Sequence, residues 1–399
     1  TLFYNASSNS GDTQVLSGGT LGGNGSLGGT ITVADGGTIN PGNLGDADTL
    51  SVNNLVLSSG SILAFELGDP NDPSTSDALI VAGDLTLDGT LNASDAGEFG
   101  LGVYSLINYG GALTDNGLDI GALPFGFTAD QAEVQTSVAN QVNLVISAAV
   151  GPQTVLFFDG ANVMANDAVD GGTGSWNLTT TNWTNSAGDI NFAWNDTFAI
   201  FSGTAGTVTV DDTIETIGMQ FLTDGYTIVD GLGSLAITDT NSVFRVGDGI
   251  TATIAASIGG AGGLNKVEDG TLVLSGANTY MGDTTVAGGT LQVDGSVEGN
   301  VFLQDGATLS GIGTIGQNIQ SEGASTISPG GDGVAGTLTS DGLFLNADSI
   351  LAMDFGDPAI MGASDRFQVN GSVVLDGTLA INALPGFGIG VYRLIDLNG

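Results

Sequence analysis

The stretch GGLNKVEDGTLVLSGANTYMGDTTVAGGTLQV, residues 262–293, holds three short runs, LVL, TTV and TLQV, with small turn residues between them. Alternation of apolar and polar residues with a period of two predicts β-strands with one buried face. Strands of three or four residues cannot build a core alone. They can do so only by stacking on equivalent strands elsewhere in the chain.

The residue types that the chain lacks exclude several classes of function. Its 399 residues include no cysteine and no histidine, and 43 acidic residues face four basic ones, for a formal net charge of −39. A Ser-His-Asp triad, a thiolate nucleophile and a zinc site of the usual kind are therefore excluded. The basic residues, Arg245, Lys266, Arg366 and Arg393, are too few to neutralise the phosphates of a nucleic acid.

The remaining composition indicates a folded all-β protein. The chain is 41% hydrophobic, contains 67 glycines, and is rich in Thr, Val, Ser, Asn and Asp. These residues favour short strands and tight turns. No apolar run approaches the roughly 20 residues of a membrane span. The start, TLFYNASSNS, has no features of a signal peptide, so we expect it to be internal to a longer protein.

A long internal repeat organises the chain. Thr38-Ile39 recurs as Thr326-Ile327, and Asp88-Gly89-Thr90-Leu91 recurs as Asp376-Gly377-Thr378-Leu379, each displaced by 288 positions. The register needs no gap over residues 13–111. The chain thus holds one complete unit of about 288 residues and a partial second copy. We interpret the chain as part of a longer array, or as a protomer whose two related ends meet in an assembly. The alternative is duplication within an ordinary globular protein.

Turn signals every eight to twelve residues leave two β architectures open. A sandwich or barrel would join the strands as hairpins, whereas a solenoid would stack each strand on its equivalent one coil later. The long repeat and the small-residue turns favour the solenoid, a parallel β-helix. Outward Asp, Thr, Ser and Asn would keep its large surface soluble.

Residues 262–293 resemble the passenger-associated strand repeat of bacterial autotransporters. The matching positions begin with Gly262, Gly263, Leu264 and Lys266, continue with Gly270, Thr271, Leu272, Leu274, Gly276, Asn278 and Tyr280, and end with Thr285, Gly289, Thr290 and Leu291. Residues 84–118 and the Trp-rich stretch 171–210 are similar to longer modules of such passengers. The resemblance implies a right-handed β-helix on the outer surface of a Gram-negative bacterium. It brings no catalytic residues.

Four segments follow from the repeat and the resemblance. Residues 1–150 are predicted to be a β-solenoid segment, 151–258 a Trp-containing β-rich module, 259–293 the strand repeat, and 294–399 a solenoid segment whose sequence copies residues 13–111.

The composition leaves acidic residues as the only candidates for a catalytic or metal site. Paired carboxylates could hydrolyse glycosides, but most Asp residues here stand in Asp-Gly turns, where they serve local geometry. The loop with Glu66, Asp69, Asp72 and Asp77 is a candidate for calcium. Its copy keeps Asp354, Asp357 and Asp365 but has Ile360 in place of Asp72. The alternative that we favour is a solvated loop, with no catalytic residue and no cofactor.

Two other groups of residues admit a functional and a structural interpretation. Trp176, Trp183 and Trp194 could form a sugar-stacking platform, but they fit a local core or cap better. Lys266 and Asn278 resemble a functional pair, but Asn in a solenoid turn usually bonds to the backbone or to the next coil.

We therefore predict a non-enzymatic, extracellular β-solenoid that forms a fibre or filament with a role in adhesion or biofilm matrix. Its partners would be other copies of itself, end to end, or adjoining repeats of one longer chain. The alternatives are a glycan-binding adhesin that uses the Trp-rich module and a carbohydrate-active β-helix enzyme.

Overall fold

The computed structural model describes residues 2–5, 11–42, 47–70, 73–97, 99–100, 102–146 and 155–398. The chain forms two units: unit 1 takes residues 1–155, 165–169 and 184–190, and unit 2 takes residues 156–164, 170–183 and 191–399. The described residues form β-strands and two single-turn 3-10 segments, Pro73–Thr75 and Ala129–Gln131. No helix found in these residues has the length and hydropathy of a membrane span.

Unit 1 is built from short strands. They are β1 (Leu2–Phe3), β2 (Thr13–Val15), β3 (Thr20–Gly23), β4 (Ser26–Val33), β5 (Thr38–Pro41), β6 (Thr49–Leu57), β7 (Ile62–Leu67), β8 (Ala78–Val81), β9 (Leu85–Leu87), β10 (Thr90–Asp95), β11 (Gly102–Tyr109), β12 (Leu113–Asp115), β13 (Asp119–Ile120), β14 (Ala132–Gln135) and β15 (Gln141–Ile146).

Strands of unit 1 pair in parallel with strands one coil away. One sheet has the order β1-β3-β5-β7-β10-β13, and a second has the order β12-β9-β6-β8-β11-β15-β14, with β4 joining β2 to β6. Leu21, Ile39 and Leu63 lie in register on β3, β5 and β7, and all three are buried. Each strand therefore packs its apolar side chains against the equivalent side chains of the neighbouring coils. Burial of each aliphatic side chain stabilises the fold by about 1.5–3 kcal/mol.

Antiparallel pairing interrupts this pattern near the end of unit 1. Strand β15 runs antiparallel to both β11 and β14. The register between β11 and β15 shifts between Ser105 and Ile107, as at a β-bulge. The reversal of strand direction ends the regular parallel stacking in this unit.

Unit 2 continues with shorter strands. They are β16 (Val155–Phe158), β17 (Gly174–Trp176), β18 (Trp183–Thr184), β19 (Asn191–Phe192), β20 (Phe198–Phe201), β21 (Thr207–Val210), β22 (Thr213–Glu215), β23 (Gly218–Phe221), β24 (Thr227–Asp230), β25 (Ser234–Ala236), β26 (Ser242–Val246), β27 (Thr251–Ile254), β28 (Ile258–Gly259), β29 (Leu264–Val267), β30 (Thr271–Leu274), β31 (Thr284–Val286), β32 (Thr290–Val293), β33 (Ser296–Val297), β34 (Val301–Leu303), β35 (Thr308–Gly311), β36 (Thr314–Ser321), β37 (Thr326–Pro329), β38 (Thr337–Phe344), β39 (Ile350–Phe355), β40 (Arg366–Val369), β41 (Val373–Val374), β42 (Thr378–Ala383) and β43 (Ile395–Leu397).

These strands stack into long sheets. The larger sheet runs β19-β18-β16-β20-β23-β26-β29-β31-β34-β36-β38-β40-β43, with β33 on β36 and β41 on β38. Another runs β17-β21-β24-β27-β30-β32-β35-β37-β39-β42, and a short one runs β22-β25-β28. On the inner face of the second sheet, Leu272, Leu291 and Leu309 lie in register and are buried.

The two copies of the sequence repeat have the same strand registers. Thr20 pairs with Thr38 between β3 and β5, and Thr308 pairs with Thr326 between β35 and β37, each displaced by 288 positions. The register shift between β4 and β6 recurs at the equivalent place between β36 and β38. The repeat in the sequence is therefore a repeat of structure.

The predicted parallel β-helix is confirmed, and the sandwich or barrel alternative is wrong, because most equivalent strands stack in parallel and antiparallel pairing of strands in the described part of unit 1 is confined to β15 with β11 and β14. The runs LVL, TTV and TLQV lie in β30, β31 and β32. The alternation of apolar residues does not reveal β29, LNKV, because Lys266 stands at one of its inward positions.

The stacked leucines predict the stability of unit 2. Leu291→Ala should lower the free energy of unfolding by about 2–5 kcal/mol, because a cavity opens between two coils. The matched control is Leu232→Ala, at a leucine that is 95% exposed, which should change it by less than about 0.5 kcal/mol. Denaturant unfolding followed by circular dichroism measures both, and equal effects would contradict the stacking.

Candidate functional site

Lys266 lies in the core of the strand repeat. It occupies an inward position of β29, in register with Phe244 on one side and Val286 on the other, and all three are buried. Its ammonium group donates to the main-chain oxygen of Glu268 and to that of Gly288, 3.1 Å away. The aliphatic part of the lysine side chain thus packs among the apolar side chains of neighbouring strands, while its ammonium group forms hydrogen bonds to two coils.

A buried ion pair lies beside this lysine. Nε of Arg245, on β26, is 2.9 Å from Oε1 of Glu268, and each side chain is 4% exposed. Glu268 has a φ of 66°, in the left-handed region that non-glycine residues seldom adopt. Burial lowers the pKa of Lys266 to about 8, against the attraction of Glu268 and Asp269, so the ammonium keeps its proton at neutral pH. The Arg245–Lys266–Glu268 cluster is therefore a charged brace within the solenoid turn.

Asn278 and Tyr280 are also structural. Oδ1 of Asn278 accepts from the backbone N–H of Ile258 at 3.0 Å, and its own N–H donates to the carbonyl of Ser296. The hydroxyl of Tyr280 lies 2.6 Å from that of Thr284, and both residues are buried. Asn278 joins the backbone of adjacent coils, as its place in a turn predicts. Lys266 and Asn278 do not share a contact in the structure described here.

The backbone around Gly289 shows why the strand repeat has a glycine at this position. Its φ is 56°, and a Cβ atom there would lie 2.5 Å from the carbonyl oxygens of Glu268 and Gly270 in the preceding coil. Any larger residue would push the coils apart. The repeat motif thus selects residues that let one coil seat closely on the next.

Replacement of the lysine tests the charged brace. Lys266→Met keeps the length of the side chain but leaves two carbonyl oxygens without their donor, so we expect a loss of about 2 kcal/mol in unfolding free energy. The control, Arg393→Met, changes a side chain that is 68% exposed and should be near neutral. A Lys266→Met protein as stable as the parent would show that the brace contributes nothing.

The three tryptophans form part of the core of unit 2. Trp176 and Trp183 are fully buried, and Trp194 is 4% exposed. The ring centroids of Trp176 and Trp194 are 4.8 Å apart, and those of Trp183 and Trp194 are 4.5 Å apart. The ring of Phe201 packs against the rings of Trp176 and Trp183. These rings present no face to a ligand, so the local-core interpretation describes them and the sugar-stacking platform does not.

In both copies a buried aspartate closes the acidic loop. Oδ1 and Oδ2 of Asp77 accept from the backbone N–H groups of Asp48 and Glu66, at 3.1 and 2.8 Å. In the second copy, Asp365 accepts from Gly336 and Asp354, both at 2.7 Å. Each aspartate uses its carboxylate to fasten the loop to the solenoid, so its lone pairs are directed at the backbone and away from solvent.

The remaining acidic residues of these loops do not assemble a cation site. Within the described ranges, no three acidic side chains lie close enough to hold a metal ion. Asp72, one of the proposed calcium ligands, lies outside the described residues, and Ile360 replaces it in the second copy. Calcium binding at the first loop therefore stays a prediction.

Burial raises the pKa of Asp77 to about 7 and that of Asp365 to about 6, although the backbone N–H groups oppose the shift. The folded protein thus binds protons more tightly than the unfolded chain, in which these carboxyls titrate near pH 4. The contribution of the two groups to stability is full below about pH 4 and is lost as the pH rises to about 7.

The pH dependence of thermal unfolding tests these shifts. We expect the melting midpoint to fall between pH 4.5 and pH 7.5, and to fall less in the double variant Asp77→Asn, Asp365→Asn. Asn also loses one backbone partner, so this variant should be less stable at pH 4.5. The control Asp341→Asn, at an exposed position, corrects for repulsion within the acidic chain. Identical pH slopes in all three proteins would contradict the prediction.

The structural roles of four charged residues were not predicted from the sequence: Arg245, Glu268, Asp77 and Asp365. A signal was available for two of them, because Ser76-Asp77 and Ser364-Asp365 are identical at the 288-residue displacement. Each of these serine hydroxyls accepts from a glycine N–H at the base of its loop. No comparable signal marked Arg245, because its partner lies one coil away.

Comparison with known proteins agrees with this architecture. The passenger-associated-transport-repeat family matches residues 264–293, which carry the buried Lys266, Asn278 and Tyr280. The adhesin BmaC autotransporter of Brucella suis biovar 1 (strain 1330) is 39% identical over 406 residues, which cover 94% of this chain. The chain is an autotransporter passenger segment with a passenger-associated repeat. The resemblance seen in the sequence is confirmed.

The passenger segment spans 11% of the length of that Brucella relative. Two extracellular serine proteases of Serratia marcescens are also similar, at 56% and 48% identity, over 59 residues that cover 15% of this chain and 6% of each protease. The passenger segment has no histidine, so it cannot itself supply a Ser-His-Asp triad.

Proposed function

We propose that the passenger segment is a non-enzymatic β-solenoid of a cell-surface adhesin, exported to the outer surface of a Gram-negative bacterium. The similarity to an autotransporter adhesin over 94% of the chain supports this proposal. The charged and aromatic groups that could serve catalysis are committed to the core: Lys266 and Glu268 brace a turn, and the tryptophans are buried. An enzymatic role is therefore the weaker alternative.

The 288-residue unit supports a role in a fibre or filament. Both copies have the same registers, so a coil of one copy presents the same edge as the equivalent coil of the other. Parallel strands at such an edge offer free N–H and C=O groups to a further coil. A solenoid of this kind grows by adding equivalent units, either in one longer chain or as separate subunits joined end to end.

The second copy contains a face that such an addition would cover. In the first copy, Leu91 on β10 is fully buried and β10 pairs with β13. Its equivalent on β42, Leu379, is 43% exposed, and Ile381 beside it is 55% exposed. Burying these side chains under a further coil would be favourable by about 25 cal/mol per Å² of apolar surface.

Electron microscopy of the 399-residue chain, with and without calcium, tests the proposal. Long filaments are expected if separate subunits join end to end, and Leu379→Asp should then shorten them, whereas the control Leu232→Asp should not. Discrete rods would indicate that adjoining repeats of one chain supply the length. Globular particles would contradict a fibre-forming solenoid.

Attachment to cells or surfaces tests the adhesive role separately. The wild-type segment, displayed on a non-adherent bacterium by a fused translocator, should increase attachment over that of a displayed control protein. No increase would argue for a spacer that only carries adhesive parts of a longer protein.

A further inference from the structure

A groove of about 430 Å³, lined by apolar side chains as well as by hydroxyl, amide and carboxylate groups, runs across the outer face of unit 2. It crosses six adjacent strands, β30, β32, β35, β37, β39 and β42. At a strand spacing of about 4.8 Å, it extends over roughly 24 Å. Its lining includes Thr290, Thr308, Ser310, Ser328 and Asp354. A groove of this length can hold an extended polymer. The lining residues that the structure describes include no basic residue to bind the phosphates of a nucleotide.

The groove offers regularly spaced hydroxyl groups. Thr271, Thr290, Thr308 and Thr326 are in register on four successive strands, so their side chains repeat once per strand. Ser310 and Ser328 form a second register beside them. Each hydroxyl can donate one hydrogen bond and accept others. A ladder of this kind suits a ligand that itself repeats hydroxyl groups along its length.

Asp354 gives the groove a second and independent feature. Its side chain is 97% buried, lines the groove on β39, and accepts at Oδ1 from the exposed amide of Asn382, 2.7 Å away. Its Oδ2 has no hydrogen-bond partner within the described chain. An unpaired carboxylate oxygen is costly, and a donor from a ligand would relieve that cost.

The chemistry of the lining selects the ligand class. Asp332 and Asp354 are its only charged residues among those described, and both are acidic. Anionic polysaccharides and nucleic acids would be repelled. Five of the six strands that form the groove lie inside the sheet, so a peptide could pair only along β42 at its end. Among the described residues, no third acidic side chain lies close enough to these two to form a metal site.

We propose that this groove binds a neutral, hydroxyl-rich polysaccharide, held by the threonine and serine ladder and by one sugar hydroxyl that donates to the unpaired oxygen of Asp354. This inference deepens the proposed adhesive function and rests on it for the biological setting. It replaces the buried tryptophans as the place where a glycan would bind. Since the lining described here contains no aromatic ring, binding depends on hydrogen bonds instead of stacking.

Binding to defined oligosaccharides tests the inference on the full chain. Fluorescent mannan, β-glucan and dextran oligomers of six sugars are the neutral probes, and hexagalacturonate is the anionic comparison. At least one neutral probe should bind, and hexagalacturonate should not. Asp354→Asn should weaken binding about tenfold, because charge-assisted hydrogen bonds are the stronger ones. Ser328→Leu, which fills the groove, should weaken it at least as much.

The control Asp341→Asn makes the same charge change on β38, in a different sheet, and should leave binding unchanged. Circular dichroism must show that each variant is folded. Failure of all three neutral probes at millimolar concentration, equal binding of hexagalacturonate, or unchanged binding by folded Asp354→Asn and Ser328→Leu proteins would each overturn the inference.

The attachment assay separates this inference from the proposed function. If Asp354→Asn loses the oligosaccharide while displayed cells still attach, adhesion uses another surface and the groove remains a glycan site. If the oligosaccharide binds in the groove but wild-type cells do not attach, the adhesive role fails and the groove assignment stands.

Discussion

The stacking of equivalent residues on successive parallel strands is the interaction on which the rest of this passenger depends. A strand of four residues buries only two side chains, but Leu272, Leu291 and Leu309 lie in register, each next to an apolar side chain of the following coil. A single strand has no core of its own, so it is stabilised only by packing against the strands on both sides. This explains how a chain with 67 glycines and only short strands remains folded.

Such stacking makes the turns the critical points, because each turn must bring the chain back into register. The structure meets this demand with polar groups that are buried and fully directed at the backbone. Lys266 bonds carbonyl oxygens of two coils, Asn278 links three segments, and Asp77 and Asp365 fasten equivalent loops. Groups that resemble a functional site in the sequence thus serve register, and the outer face is left free for recognition.

The distribution of charge separates the inside of the solenoid from its outside. Three of the four basic residues have acidic partners, Arg245 in the core and Arg366 and Arg393 near Asp396. The fourth, Lys266, bonds carbonyl oxygens. The outer surface is left strongly acidic, which suits a protein that must not bind its neighbours or nucleic acid without specificity. The neutral glycan proposed for the groove would not be repelled by such a surface.

Residue type and spacing are enough to predict the strand period, the 288-residue repeat, the family and the exclusion of His- and Cys-based chemistry. The folded structure was needed to show that Trp176, Trp183 and Trp194 face inward, that Arg245 meets Glu268, and that Asp354 lines a groove. Each of these contacts joins residues from different coils. The number of residues per coil varies, so spacing along the chain does not reveal which side chains meet, and the registers of the stacked strands do.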